Sequence, residues 1–254
     1  LFLRRKFLGV TDFFALLNEP RRPGLDVDRL RQKFLALAAD VHPDRVHNAS
    51  DVEKAAANRH YAELNAACQC LTDPKTRVLH LLELERGRRP VEIQTIPPAL
   101  ADWFVGIAAI CREADMFLLD REKVTSPLLK IQWFERAQTW IERLQEWQKN
   151  LSTLRRELDA RLELLDQQWP ANCLPSARLF ASPKAPSSAD NSPSPKGAGR
   201  GEGKAPPLVE AIRQNHPVSP PPELLARLEE LYRFYGYFNR WQNQLAERIA
   251  RLSF

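Results

Sequence analysis

Apolar positions in the first part of the chain recur at helical spacing. Between Asp26 and Val41 they fall at Val27, Leu30, Phe34, Leu37 and Val41, which line one face of an α-helix. Asp26 stands where an N-cap is needed. A second run starts at Ser50, with Glu53 three positions on in a capping-box pattern, and places Val52, Ala57, Tyr61, Leu64, Cys68 and Leu71 along one stripe. Two amphipathic helices joined by a short polar loop form an αα-hairpin, and His42-Pro43-Asp44 lies at its tip. Ahead of the hairpin, Asp12-Phe13-Phe14-Ala15-Leu16-Leu17 predicts a short apolar helix, capped by Thr11 or Asp12 and stopped by Pro20 and a turn ending at Gly24. Behind it, Thr72-Asp73-Pro74 supplies a cap and a first-turn proline for a fourth helix through Val78, Leu81, Leu82 and Leu84, ended by Gly87.

A connector from Pro90 to Pro98 separates these helices from a second set. Leu100, Trp103, Phe104, Ile107, Ala108, Ile110, Cys111 and Ala114 cover so wide a face that their helix is either sandwiched in a core or partly held for a partner. From Leu128 to Trp169, Trp133, Trp140 and Trp147 recur every seven residues and lead to Leu154, with Ala137, Leu144, Leu151 and Leu158 between them. A tryptophan stripe at this spacing reads as core. The last run, Glu223 to Phe254, carries Leu224, Leu228, Leu231, Tyr235, Phe238, Leu245, Ile249 and Leu252, with Gln242 as a polar interruption. Three long amphipathic helices predict an up-down-up bundle. Residues 170 to 222 hold twelve of the twenty prolines, a composition that cannot bury enough apolar surface to order itself. The expected fold is all-α: a four-helix unit over residues 11–90, a three-helix bundle over 97–170 and 223–254, and a disordered insertion over 171–222.

Composition narrows the chemistry. No apolar run approaches the length of a membrane span, and the basic start with Arg4, Arg5 and Lys6 lacks a signal-peptide core. The net charge of +5 comes from the ends and the insertion: the first ten residues carry +3 and residues 171–222 carry +3, which leaves the helical parts at −1. Nothing there makes a footprint for nucleic acid. Cys68, Cys70, Cys111 and Cys173 have no C-x-x-C spacing, so reduced thiols in a cytoplasmic protein are expected. His47, His60, His80 and His216 show no metal-ligand spacing, and no nucleophile triad, phosphate loop or carboxylate pair stands out. No enzyme, catalytic residue, metal or cofactor is expected.

His42-Pro43-Asp44 taken alone reads as a turn. Its setting, in the loop of a helix hairpin flanked by two short helices, resembles a J domain. The words around it, Leu25-Asp26, Val41-His42-Pro43-Asp44-Arg45, Leu64-Asn65-Ala66-Ala67, Leu71-Thr72-Asp73-Pro74, Arg77 and Leu81-Leu82-Glu83-Leu84, resemble HscB-type co-chaperones of iron-sulfur cluster assembly. In that family a J domain precedes a three-helix bundle, which covers residues 11–170 and 223–254 here. The chain departs from the family pattern in having Cys68 in place of an aromatic, His80 in place of a tyrosine, Ala38-Ala39-Asp40 in place of basic residues, and the long insertion.

The resemblance implies a non-enzymatic partner of a DnaK/HscA-type chaperone whose ATPase the His-Pro-Asp loop stimulates. His42, Pro43, Asp44 and Arg45, with Arg29 and Lys33 on the helix before them, are the implied chaperone contacts. Asp44 can accept a charge-assisted bond, Pro43 restricts the loop, and the cations steer toward an acidic surface. The bundle is implied to bind an iron-sulfur scaffold protein of the IscU type through Leu100, Trp103 and Phe104. Those three residues read equally as core. Two other readings share the pattern: a J-domain protein for a different client, and a helical adaptor in which His-Pro-Asp is only a turn.

Overall fold

A computed structural model of the chain describes residues 11–42, 50–91, 96–120, 126–170 and 219–253. Among them every regular element is helical: α1 (Phe13–Leu16), α2 (Val27–Asp40), α3 (Asp51–Thr72), α4 (Pro74–Arg86), a 3₁₀ turn at Pro98–Leu100, α5 (Ala101–Asp120), α6 (Pro127–Gln167) and α7 (Pro222–Ser253). The all-α expectation is met.

The helix ends are set locally. The Asp12 carboxylate accepts from the amides of Phe14 and Ala15 at 3.0 and 3.2 Å, so Asp12 rather than Thr11 caps α1. Asp26 does the same for α2, Ser50 and Glu53 form the capping box of α3, and Asp73 caps α4 with Pro74 in its first turn. Gly87 closes α4 at φ 67°, a left-handed conformation that suits glycine.

Phe14, Leu17, Leu30, Leu64, Leu71, Val78, Leu81 and Leu82 form the core beneath the α2–α3 hairpin. Val52, expected on the apolar stripe of α3, is 79% exposed. The tyrosine-to-histidine departure has a definite consequence: His80 is buried, stacks on Phe14, and its Nε2 accepts from the Phe13 amide at 3.1 Å. The imidazole therefore supplies an acceptor to a donor at the start of α1 that has no intrahelical partner.

That bond requires an unprotonated Nε2. Burial lowers the His80 pKa below its ordinary 6.5, against the opposing pull of Asp12 and Glu83 and with that of Arg21. The unfolded chain then takes up the proton first as pH drops, so the stability held by His80 is present above about pH 6.5 and is lost as pH falls through the folded value. The wild type is expected to lose more melting temperature between about pH 7 and pH 5.5 than His80→Phe, which has nothing to protonate there. Equal slopes in thermal melts would contradict this.

In the second set of helices, α6 and α7 run antiparallel along most of their length, with α5 laid against both. Leu144, Leu151, Leu158, Leu228, Tyr235 and Leu245 are fully buried between them. Pro220 is buried and Pro222 belongs to α7, so the described part of α7 begins one residue before the expected Glu223. The remainder of the expected insertion, residues 171–218, lies outside the described residues. The α4 helix packs on α7, which joins the two sets of helices along a broad face.

Polar contacts cross the same junction. The Arg22 guanidinium grips the Asp166 carboxylate, the Gly24 amide donates to it at 2.9 Å, and Trp169 Nε1 donates to the Arg21 carbonyl at 2.9 Å. A Cβ on Gly24 would stand 2.7 Å from Asp166 Cγ, so this approach depends on glycine. Arg86 pairs with Glu229 across α4 and α7. Deeper in, Tyr235 donates to Asp159 at 2.7 Å, and burial raises its phenol pKa far above the ordinary value.

Candidate functional site

The tip of the hairpin is built from the ends of two helices. α2 finishes at Asp40 with Val41 as its C-cap, and His42 follows at once. The His42 ring meets the Tyr61 ring of α3 edge-on, with centroids 5.5 Å apart and planes at 82°. Tyr61 was legible only as a member of the α3 apolar stripe; the structure makes it the ring that positions His42. Pro43, Asp44 and Arg45 lie outside the described residues, and the chain is described again at Ser50.

The two cations expected beside the tip fare differently. Arg29 is exposed. Lys33 is half-buried and committed inward: its Nζ lies 2.5 Å from Glu19 Oε1 and donates to the Asn18 carbonyl at 2.9 Å. Lys33 thus ties α2 to the end of α1, and its charge is largely neutralised before any partner arrives. Arg29 and Lys33 also line a cleft of about 520 Å³ shared with Arg22, Glu19, Glu163 and Asp166. Cations and carboxylates alternate there, so the cleft presents no field of one sign. Arg31, which the sequence reading did not single out, is the other exposed cation of α2, and it sits 3.4 Å from Asp28.

At the start of α5 the three candidate residues separate. Leu100 belongs to the 3₁₀ turn and is 2% exposed, so it is a core residue and drops out of any contact surface. Phe104 is 41% exposed and Val105 beside it 66%. Trp103 is half-buried and meets Trp147 of α6 edge-on, with centroids 6.1 Å apart. Trp147 can lie this close to α5 because residue 106 is glycine: a Cβ there would stand 2.4 Å from its ring. The result is a recess of about 420 Å³ lined by Asp102, Trp103, Trp147, Asn150 and Thr153. Trp147 is therefore only partly core, unlike Trp133, which is 9% exposed and stacked on Phe117. The heptad spacing could not separate the two, since it reports a shared face and not what covers it.

Among the described residues, no cluster of His, Cys, Asp and Glu could hold a metal ion, and no helix is long and apolar enough to cross a membrane. Burial raises the thiol pKa of Cys70 to about 11 and also raises that of Cys111, which leaves both poor nucleophiles.

Comparison with known proteins finds relatives over part of the chain. Over 71 residues the chain is 42% identical to the co-chaperone protein HscB homolog of Paraburkholderia phymatum, a stretch that is 28% of this chain and 41% of that protein. It is 34% identical over 103 residues to the iron-sulfur cluster co-chaperone protein HscB of Mus musculus, covering 36% of this chain and 44% of that one. Both of these relatives are named as HscB co-chaperones. The resemblance carried by the hairpin and its flanking words is thereby borne out, over less than half the length of these two relatives. No family model matches the chain. The solved structure of human co-chaperone protein HscB aligns over 62% of this chain and 69% of that one, at 20% identity and a TM-score of 0.42. At that score the likeness says nothing of how the helices are placed; the all-α fold rests on the helices themselves.

Proposed function

We propose that this protein is an HscB-type co-chaperone: its J domain docks on a DnaK/HscA-type chaperone and stimulates ATP hydrolysis, while its bundle delivers an iron-sulfur scaffold protein of the IscU type. The observation that carries the reading is that the words His42-Pro43-Asp44 stand in the sequence between the C-cap of α2 and the capping box of α3, in a chain whose curated relatives include HscB proteins.

In this reading His42, Pro43 and Asp44 meet the chaperone. Asp44 accepts a charge-assisted hydrogen bond from a chaperone cation, Pro43 limits the number of loop conformations, and His42 is held by Tyr61. Arg29 and Arg45 supply the attraction toward an acidic surface. Lys33 contributes through the position of α2 and not through a free charge. The protein performs no chemistry of its own and needs no cofactor.

The scaffold contact is assigned to Trp103 and Phe104, with Val105 and the Trp147 recess beside them. Aromatic side chains next to a recess are the groups that anchor protein interfaces. Phe104→Asp is expected to weaken binding of an IscU-type scaffold about 30-fold or more, as for an interface hot spot. Its melting temperature should stay close to that of the wild type, because Phe104 faces solvent. Calorimetric titration with the scaffold checks the first point and a thermal melt the second. Unchanged affinity would assign the surface elsewhere, and a large loss of stability would return Phe104 to the core. The burial of Leu100 favours one second reading, a J-domain co-chaperone with a different client; copurification of an IscU-type scaffold with the tagged full chain separates the two.

A further inference from the structure

The long helix α6 outruns α7. Contacts between Gln168 and Arg227, Asp159 and Tyr235, and Arg155 and Phe238 set an antiparallel register between α6 and α7. Continued along that register, Ser253 at the end of α7 comes level with about residue 140, so about 13 residues of α6 project past it, or roughly 20 Å at the rise of an α-helix.

The projecting turns carry large apolar side chains around most of their circumference, with Lys130, Gln132, Glu135 and Arg136 between them. Leu128 is 65% exposed, Leu129 47%, Ile131 60% and Phe134 62%, while Trp133 is covered by Phe117 of α5. Steps of about 100° per residue put Ile131 opposite Trp133. Apolar side chains spread so widely around a helix are ordinarily covered by a neighbour. Among the described residues one side is covered and the others are open. The end of α5 adds Met116 and Leu119, each 63% exposed. The ring contacts Trp103–Trp147 and Phe117–Trp133 place these level with Phe134 and Ile131.

We infer that this projecting end of α6 is a self-association surface, and that its occupant is the same end of a second copy of this chain. Laid antiparallel, each projecting segment fills the strip beside α6 that α7 leaves open on the other, and the arrangement closes on itself about a two-fold axis. The charges suit a copy better than a partner of one sign. Lys130 and Arg136 alternate with Asp120 and Glu135 around the apolar residues. Antiparallel overlap brings Lys130 beside Glu135 of the partner subunit, twice over by symmetry. Six large side chains at these exposures present on the order of 600 Å² of apolar surface, at the top of what a monomer's largest patch displays and near one side of a standard interface.

The test is sedimentation equilibrium of the full chain over a range of concentrations. The wild type is expected to move from the mass of one chain toward that of two, and Ile131→Glu with Phe134→Glu to weaken association roughly 30-fold or more. A control, Phe104→Asp at the proposed scaffold surface, should associate like the wild type. Should the double variant lose helix by circular dichroism, a pair of surface changes decides: Lys130→Glu weakens association about 5-fold, and adding Glu135→Lys restores it. A wild type that stays single throughout overturns the inference, even if that end of α6 captures a different protein. So does association that survives both sets of changes, or that Phe104→Asp abolishes.

Discussion

His42→Gln or Asp44→Asn is expected to abolish stimulation of the chaperone ATPase while leaving the melting temperature of the protein unchanged. His42 lies outside the buried core, at the end of α2, and its ring touches the edge of Tyr61. His42→Gln removes no core side chain. What each removes is a recognition group. A hydrogen bond to a charged acceptor contributes about 1.5–3 kcal/mol, so Asp44→Asn alone lowers affinity at the contact by roughly 10- to 150-fold. A loop whose task is to promote a conformational step loses more, because the bond has to form in the state that commits the chaperone to hydrolysis. Single-turnover hydrolysis with each variant, beside a thermal melt, checks both halves. Full stimulation by either variant would reduce the tripeptide to a turn and favour the helical adaptor.

The second large effect is on stability. Arg77 is 4% exposed, at the junction of the two sets of helices. Its Nε donates to the Pro23 carbonyl at 2.8 Å and one terminal nitrogen donates to the Leu71 carbonyl at 2.6 Å. It therefore satisfies the turn that follows α1 and the end of α3 from a single side chain. Burial lowers its pKa, while Tyr235, Asp73, Asp159 and Asp166 act in the opposite direction. A guanidinium stays protonated under such a load. Arg77→Leu keeps much of the volume and strands both carbonyls, each of which then carries a desolvation cost of about 1–3 kcal/mol. A total near 4 kcal/mol corresponds to a fall in melting temperature of about 10 °C for a chain of this size. Arg77→Lys should fall between, since an ammonium cannot serve both carbonyls with the planar fork. A shift below about 2 °C for Arg77→Leu would mean that the two carbonyls find other partners.

Much of this was legible because it is local. Asp12, Asp26, Ser50 with Glu53, Asp73 with Pro74, and Gly87 act within four residues of the helix ends they set, so sequence order states the geometry. The apolar stripes of α6 and α7 were legible for a similar reason: periodicity fixes which residues share a face. It does not say which part of that face another helix covers. Val52 and Trp147 sit on stripes shared with buried residues, yet one is exposed and the other lines a recess.

The candidate sites were harder. Lys33 looked free on α2 because its partners, Glu19 and the Asn18 carbonyl, lie in the turn after α1, where no periodic pattern points to it. Leu100 looked like the first turn of a helix, whereas the 3₁₀ turn at Pro98–Leu100 directs it inward. The grip of Arg22 on Asp166 joins the turn after α1 to α6, 144 residues away in the chain. Long-range polar pairs of this kind leave no trace in local sequence. Gly24, set beside that carboxylate, is their one sequence-level mark, and it reads first as a turn residue.

The role proposed for the hairpin tip is to drive a chaperone. Its most direct measurement is the rate of ATP hydrolysis by a DnaK/HscA-type chaperone titrated with the wild-type chain, with and without an IscU-type scaffold. The account predicts a saturable acceleration by the chain alone and a larger one when the scaffold is present. A rate that the wild-type chain leaves unchanged under both conditions would contradict it.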